Sequence, residues 1–305
     1  MKISNGIIMG GLWLANYLFP PAETVDEIYA HAEKHNKRQI FKIPKERWID
    51  CEVMKVQAEK EAYPCLRMKK KGQRPDKAIL YICGGGGVYD CCRQQLIFAK
   101  KFLKKTDGEI YYPFYPPSTR HPITEAYRMV FETYRAMLNE YSYEKIGVLG
   151  LSFGATAAMT MVSWNNYFKE GLPMPALIIG LSPGHVPTNR DERESLEAYR
   201  CVDPFIPVNL VEAYGQINRG GQDMERWLIH TGHGDFRKAG KIFLYFGEKE
   251  SLAYAVPVYR QSLEKAGVDY KIHIEPGMPH CYGVTRINKA SRKTYDEYLN
   301  LINSL

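Results

Sequence analysis

From Lys77 onward, short apolar runs alternate with amphipathic stretches of helical period. The runs Lys77–Cys83 (KAILYIC), Glu109–Tyr115, Lys145–Leu151 (KIGVLGL), Pro175–Leu181 (PALIIGL), Lys241–Phe246 and Asp269–Ile274 read as strands. Between and after them, Asp90–Lys105, Ile123–Tyr141, Ala155–Phe168, Tyr254–Gly267 and Ser291–Leu305 read as helices, with Asp90 as a candidate N-cap. Strands that are apolar throughout are buried on both faces, so the pattern predicts an α/β protein with a mainly parallel central sheet and helices on both sides. Ahead of this rhythm, Ile49–Gln57 and Ala62–Lys70 read as two strands joined by a charged turn. Residues 182–239 interrupt it with Pro, Gly and charge-rich text, holding helical pieces near Glu192–Arg200 and Val208–Tyr214. The chain opens on an apolar stretch read as a helix over Gly6–Leu18, followed by a second helix in VDEIYAHAEKHNKR.

Composition narrows the class. A chain of 305 residues that is 45% hydrophobic and 25% charged is globular, neither disordered nor fibrous. The net charge of +7 is spread over acidic and basic residues alike. The densest basic run, RMKKKGQRPDK (67–77), carries Gly72 and Pro75 and reads as an exposed turn between strands. No nucleic-acid-binding module accompanies it, so no nucleic-acid partner is expected. The 7 cysteines include the adjacent Cys91 and Cys92, but no CxxC or Cys/His spacing suited to a metal. They read as reduced thiols of a cytoplasmic protein without a metal. The N-terminal apolar run follows a single lysine, lacks a small-residue cleavage site and falls short of the roughly 18 residues a membrane span needs. It is expected to pack on the body of the protein, without stable membrane insertion.

The chemistry is carried by one pentapeptide and by residues downstream of it. Strand KIGVLGL runs directly into Gly150-Leu151-Ser152-Phe153-Gly154 and then into a small-residue helix. In that context G-x-S-x-G predicts a sharp turn with Ser152 in a strained backbone conformation, tolerated because Gly150 and Gly154 are small. A serine hydroxyl needs a histidine base held by a carboxylate. His280 follows a late strand and fits the base; His273 lies inside that strand and reads as structural. Glu248 and Glu250 both follow the preceding strand and both qualify by position as the acid. The four glycines of LYICGGGGVYD (80–90) end a buried strand, where bare backbone could approach a reacting carbonyl. The N–H groups of Gly85 and Gly86, with that of Phe153, are candidate donors to a tetrahedral oxyanion.

These segments together resemble the hormone-sensitive-lipase-like branch of the α/β-hydrolases, which includes bacterial acetyl esterases and small carboxylesterases. YICGGGGVYD resembles the family's H-G-G-G segment, FYPPSTRHPIT its stretch ending in His-Pro, GLSFG its nucleophile motif, and YFGEKESL its G-x-x-[D/E]-x-L segment. KAGVDYKIHIEPGMPHCY resembles its final block. The resemblance runs from about Lys77 to the C-terminus. It implies a Ser152–Glu250–His280 triad, choosing Glu250 over Glu248, and an oxyanion hole of Gly85, Gly86 and Phe153. Two residues depart from the family pattern. Cys83 stands where the family has histidine, and a glutamate stands where aspartate is commoner.

The resemblance also implies a helical cap built from two segments. The expected division is 1–48 as N-terminal cap helices, 49–181 as the first part of the core, 182–239 as cap insertion and 240–305 as the second part of the core. The expected activity is hydrolysis of small, short-acyl carboxylic esters, acetyl esters among them, through an acyl-enzyme and without a cofactor. The partner is a small-molecule ester, and a homodimer is compatible with the reading. The alternatives are a non-catalytic small-molecule-binding protein on the same scaffold, and an amidase or peptidase.

Overall fold

Each segment read as a strand in the sequence becomes a strand of one eight-stranded sheet in the computed structural model, which describes residues 9, 24–39, 41–91 and 93–305. In chain order the strands are β1 (Ile49–Gln57), β2 (Ala62–Lys70), β3 (Ala78–Ile82), β4 (Glu109–Pro113), β5 (Ile146–Leu151), β6 (Leu177–Leu181), β7 (Lys241–Gly247) and β8 (Tyr270–Glu275). Their order across the sheet is β1-β2-β4-β3-β5-β6-β7-β8. From β4 to β8 all neighbours are parallel. The β1–β2 hairpin is antiparallel and joins β4 antiparallel at one edge. Every residue of β3, β4, β5 and β6 is buried, as expected of strands covered by helices on both sides.

The helices are α1 (Val25–Asn36), α2 (Arg93–Leu103), α3 (Ile123–Met137), α4 (Phe153–Tyr167), α5 (Arg190–Glu197), α6 (Val208–Arg219), α7 (Val256–Ala266) and α8 (Lys289–Asn303). Short 3₁₀ turns at Arg226–Leu228, Thr231–His233 and Ser251–Ala255 fill the connections. Helix boundaries differ from the sequence reading by a few residues, the usual fraying of helix ends. The difference with chemical meaning is α4, which begins at Phe153, directly after the serine, and not at Ala155. The basic run forms a turn as expected, with Gly72 at φ +75°. The helix expected over Gly6–Leu18 lies outside the described residues apart from Met9. Among the described residues no helix is long and apolar enough to cross a membrane.

Two apolar clusters hold the molecule. The large one lies on the sheet and its helices. The small one joins Ile28 and Ala32 of α1 to Leu210, Ala213 and Ile217 of α6, with Val88 of the glycine loop beneath them. A capping box closes the start of α1, with Thr24 and Glu27 each accepting from the other's backbone N–H. The small cluster therefore seats a helical layer directly over the end of β3, where the glycines emerge.

Candidate active site

The turn from β5 into α4 places Ser152 at φ 53° and ψ −121°, a conformation that costs a non-glycine residue about 1 to 3 kcal/mol. Packing enforces it. A Cβ on Gly154 would stand 2.2 Å from the carbonyl oxygen of Ile82, so only glycine lets α4 approach β3 this closely. The start of α4, with its positive dipole end, then lies directly beside the serine.

Two loops at the same end of the sheet complete the arrangement. The loop after β8 brings His280 Nε2 to 2.9 Å from Ser152 Oγ. The turn after β7 brings Glu250 Oε2 to 2.7 Å from His280 Nδ1, while Glu250 Oε1 accepts from the Gly247 N–H at 3.0 Å. Glu250 is 0% exposed and His280 8%. Glu248 is turned away, accepting from the Gly277 N–H at 2.8 Å, so geometry separates the two glutamates that chain position left equal. His273 hydrogen bonds Glu275 within β8, and His121 meets Glu61; neither reaches the serine. Burial alone would lower the His280 pKa, but Cys281 beside the ring and Glu250 on Nδ1 outweigh it and hold it well above its ordinary value.

The glycine loop lies against the serine. A Cβ on Gly84 would come 3.0 Å from Ser152 Cβ and 2.9 Å from the Leu151 carbonyl oxygen, which explains a glycine there. Gly85, Gly86 and Gly87 continue with positive φ. The loop's carbonyls are all engaged. Cys83 O and Gly84 O accept from the Tyr115 hydroxyl, Gly85 O from the amides of Val88 and Tyr89, Gly86 O from Asn218 Nδ2 and Gly87 O from the Ser118 amide. The amides of Gly85, Gly86 and Phe153 meet no acceptor among the described residues.

Cys83 is not a reduced thiol. It is disulfide-bonded to Cys91 across the loop, which corrects the expectation that all cysteines are free and removes the thiol argument for a reducing compartment. The pairing was illegible because a strand end and a loop residue eight positions apart are brought together only by the turn of the glycines. Cys51, Cys65, Cys201 and Cys281 are free.

Ser152, His280 and the glycines open into a cavity of about 650 Å³. Its walls are mainly apolar, from Tyr127, Val186, Ile206, Val211, Leu228 and Leu252 among others, and no Lys, Arg, Asp or Glu among the described residues lines it. The Phe205 ring stacks on His280 with centroids 5.5 Å apart. Asp203 lies in the segment between α5 and α6. It is buried, accepts from the amides of Phe205 and Ile206, and reaches across to the Ser251 amide at 2.6 Å. It thereby ties the segment before α6 to the turn that carries Glu250. The Asp-Pro pair was a visible signal for the local turn, but nothing in the sequence marked the long-range bond.

One cluster has the composition of a metal site. Candidate ligand atoms of His185, Glu192 and His233 lie within 4.8 Å of one another. The Gly232 N–H donates to His185 Nδ1, so a neutral His185 carries its proton on Nε2 and gives it to Glu192. That nitrogen has no lone pair for an ion. Burial lowers the His185 pKa, and hydrogen bonds from His185 and Thr188 hold Glu192 well below the usual carboxylate range against the opposing effect of its own burial. The group reads as a hydrogen-bonded pin between the loop after β6, α5 and the 231–233 turn.

This geometry meets independent likeness at the level of family. Residues 79–284 match the family described as having an alpha/beta hydrolase fold. The chain belongs to the α/β-hydrolases. Among solved structures it is similar to a hormone-sensitive-lipase homologue, EstE7, from a metagenome library, at 20% identity and a TM-score of 0.79, covering 100% of this chain and 99% of that one. An esterase from the bacterial hormone-sensitive lipase family matches at 19% identity, TM-score 0.79 and the same coverage. EstE5, soaked with p-nitrophenyl butyrate, matches at 17% identity and TM-score 0.78, covering 98% and 97%. No curated protein is significantly similar in sequence. As an α/β-hydrolase, the chain places its candidate residues at the ends of parallel strands, where that fold holds its loops.

Proposed function

We propose that this α/β-hydrolase is a serine esterase of the hormone-sensitive-lipase-like branch, acting on small, neutral, short-acyl carboxylic esters down to acetyl esters. The observation that carries the reading is the continuous hydrogen-bonded chain Ser152–His280–Glu250, opening into a cavity with no Lys, Arg, Asp or Glu among its described walls, beside three amides that meet no acceptor among the described residues. Ser152 Oγ attacks the ester carbonyl carbon as its proton passes to His280 Nε2, and Glu250 holds the ring and stabilises the imidazolium. Negative charge forming on the carbonyl oxygen is met by the N–H groups of Gly85, Gly86 and Phe153. Collapse expels the alcohol, which takes the proton from Nε2. Water repeats the sequence on the acyl-enzyme, releasing the acid and restoring Ser152.

Among the described residues the wall carries no Lys, Arg, Asp or Glu, so a charged substrate finds no salt-bridge partner among those side chains and neutral substrates are favoured. Residues 1–48 and 182–239 act in this reading as the cap, with α1 and α6 packed over the glycine loop. The esterase descriptions of the similar structures support the reaction class. The test is hydrolysis of p-nitrophenyl esters from acetyl to octanoyl, with matched p-nitroanilides and Ser152→Ala beside them. Ester turnover that the variant loses is expected; turnover persisting in Ser152→Ala, or faster cleavage of the anilides, would overturn the assignment.

A further inference from the structure

The histidine of the family's H-G-G-G segment is absent here, yet the glycine loop is ordered. The carboxamide of Gln95, on the first turn of α2, accepts from the Gly84 N–H through Oε1 at 2.5 Å and donates to the Gly84 carbonyl oxygen through Nε2 at 3.1 Å. The Tyr115 hydroxyl reaches the same carbonyl at 3.2 Å. We propose that Gln95 is the positioning residue of the oxyanion loop, holding the Gly84–Gly85 peptide so that its N–H stays available beside Ser152.

Peptide planarity gives the reason. In a trans peptide the C=O of one residue and the N–H of the next point in opposite directions, and the described chain contains no cis peptide. Whatever grips Gly84 O therefore sets where the Gly85 N–H points. The Gly86 N–H is set differently, because Gly85 O is held within the turn by the amides of Val88 and Tyr89. Glycines on both sides would otherwise let the Gly84–Gly85 peptide rotate at little cost, exposing a carbonyl where a donor is needed. Gln95 supplies both halves of the restraint, and its oxygen and nitrogen each face the complementary backbone group. Its hydrogen bonds go to the Gly84 backbone and not to Ser152 Oγ, although its side chain also lines the cavity.

The inference rests on the reading of Ser152 as nucleophile, and its test separates the two. Gln95→Met keeps the length of the side chain without its hydrogen bonds; Gln95→Glu keeps the acceptor and loses the donor. Losing an oxyanion donor outright costs about 10² to 10³ in kcat. With Tyr115 still in place, each variant is expected to lose about 10- to 100-fold in kcat on p-nitrophenyl esters, with KM nearly unchanged. The decisive readout is a boronic acid or trifluoromethyl ketone, whose adduct with Ser152 is a tetrahedral anion. Its inhibition constant should rise in step with the fall in kcat/KM, and Tyr115→Phe should deepen the loss in Gln95→Met. Unchanged kcat in both Gln95 variants, or a loss of kcat with inhibitor affinity retained, would overturn the proposal. A parent protein that neither turns over esters nor binds these inhibitors through Ser152 would instead overturn the esterase reading.

Discussion

Two buried histidines line the same cavity, each paired with a glutamate, and they are tuned in opposite directions. His280 and Glu250 meet at 2.7 Å, His185 and Glu192 at 3.2 Å. In the first pair the remaining ring nitrogen faces the Ser152 hydroxyl; in the second it accepts a backbone N–H from Gly232. The His280 pKa is held up and the His185 pKa pulled down. Glu250 spends one oxygen on histidine and one on the Gly247 amide, leaving its charge concentrated on the imidazole. Glu192 shares its charge among His185, His233, Asn189 and both the amide and hydroxyl of Thr188. The pair alone does not define a base; in the proposed mechanism His280 differs from His185 in what its second ring nitrogen faces.

That contrast is most exposed to failure at the serine. Ser152→Ala or His280→Ala should each reduce kcat by about 10⁶-fold, and the double variant little further, because the two act as a unit. Steady-state rates on p-nitrophenyl acetate would check this. Glu250→Gln should cost about 10⁴-fold in kcat. It should also shift the acid limb of kcat/KM to lower pH. The parent becomes active as His280 loses its proton, and without the carboxylate that raises its pKa the proton leaves earlier. An acid limb that stays in place or moves upward would break the contrast with His185.

Smaller effects sharpen it. Asp203→Asn weakens the bond to the Ser251 amide next to Glu250, and should cost about tenfold in kcat, about 1.4 kcal/mol, with little change in KM. Glu192→Gln should leave kcat within about threefold while lowering stability to urea by about 1 to 3 kcal/mol, as a buried network loses its acceptor. Glu192 titrates lower in the folded state than in the unfolded chain. Its stabilisation is therefore full above about pH 4.3 and is lost as pH falls through the folded pKa. The variant should show a flatter loss of stability in acid, read from urea midpoints across pH. A large fall in kcat with unchanged stability would place the second pair in the chemistry and erase the distinction.

Much of this was open to reading along the chain. Six apolar runs gave the parallel strands because burial on both faces leaves no room for alternation, and G-x-S-x-G gave the elbow because strand, small residues and helix are contiguous. The glycine loop at the end of β3 was legible for the same reason. Gln95, Asn218 and Asp203 were not. In the sequence Gln95 is one polar position of an amphipathic helix, and Asn218 lies beyond the helical piece read near Val208–Tyr214. Each acquires its role from a backbone group that is far along the chain or on a different element. The meeting of His185, Glu192 and His233 was not legible either, since it depends on how the 182–239 segment folds back.

Local order along the chain thus determined the α/β architecture, the serine at its turn and the glycines beside it, since each is a matter of neighbours in sequence and backbone geometry. Tertiary structure set Glu250 rather than Glu248 beside His280, paired Cys83 with Cys91, and brought Gln95 onto the Gly84 peptide. Those outcomes depend on which groups a loop presents across space, to within a few tenths of an ångström, and hydrophobic periodicity carries no information at that scale.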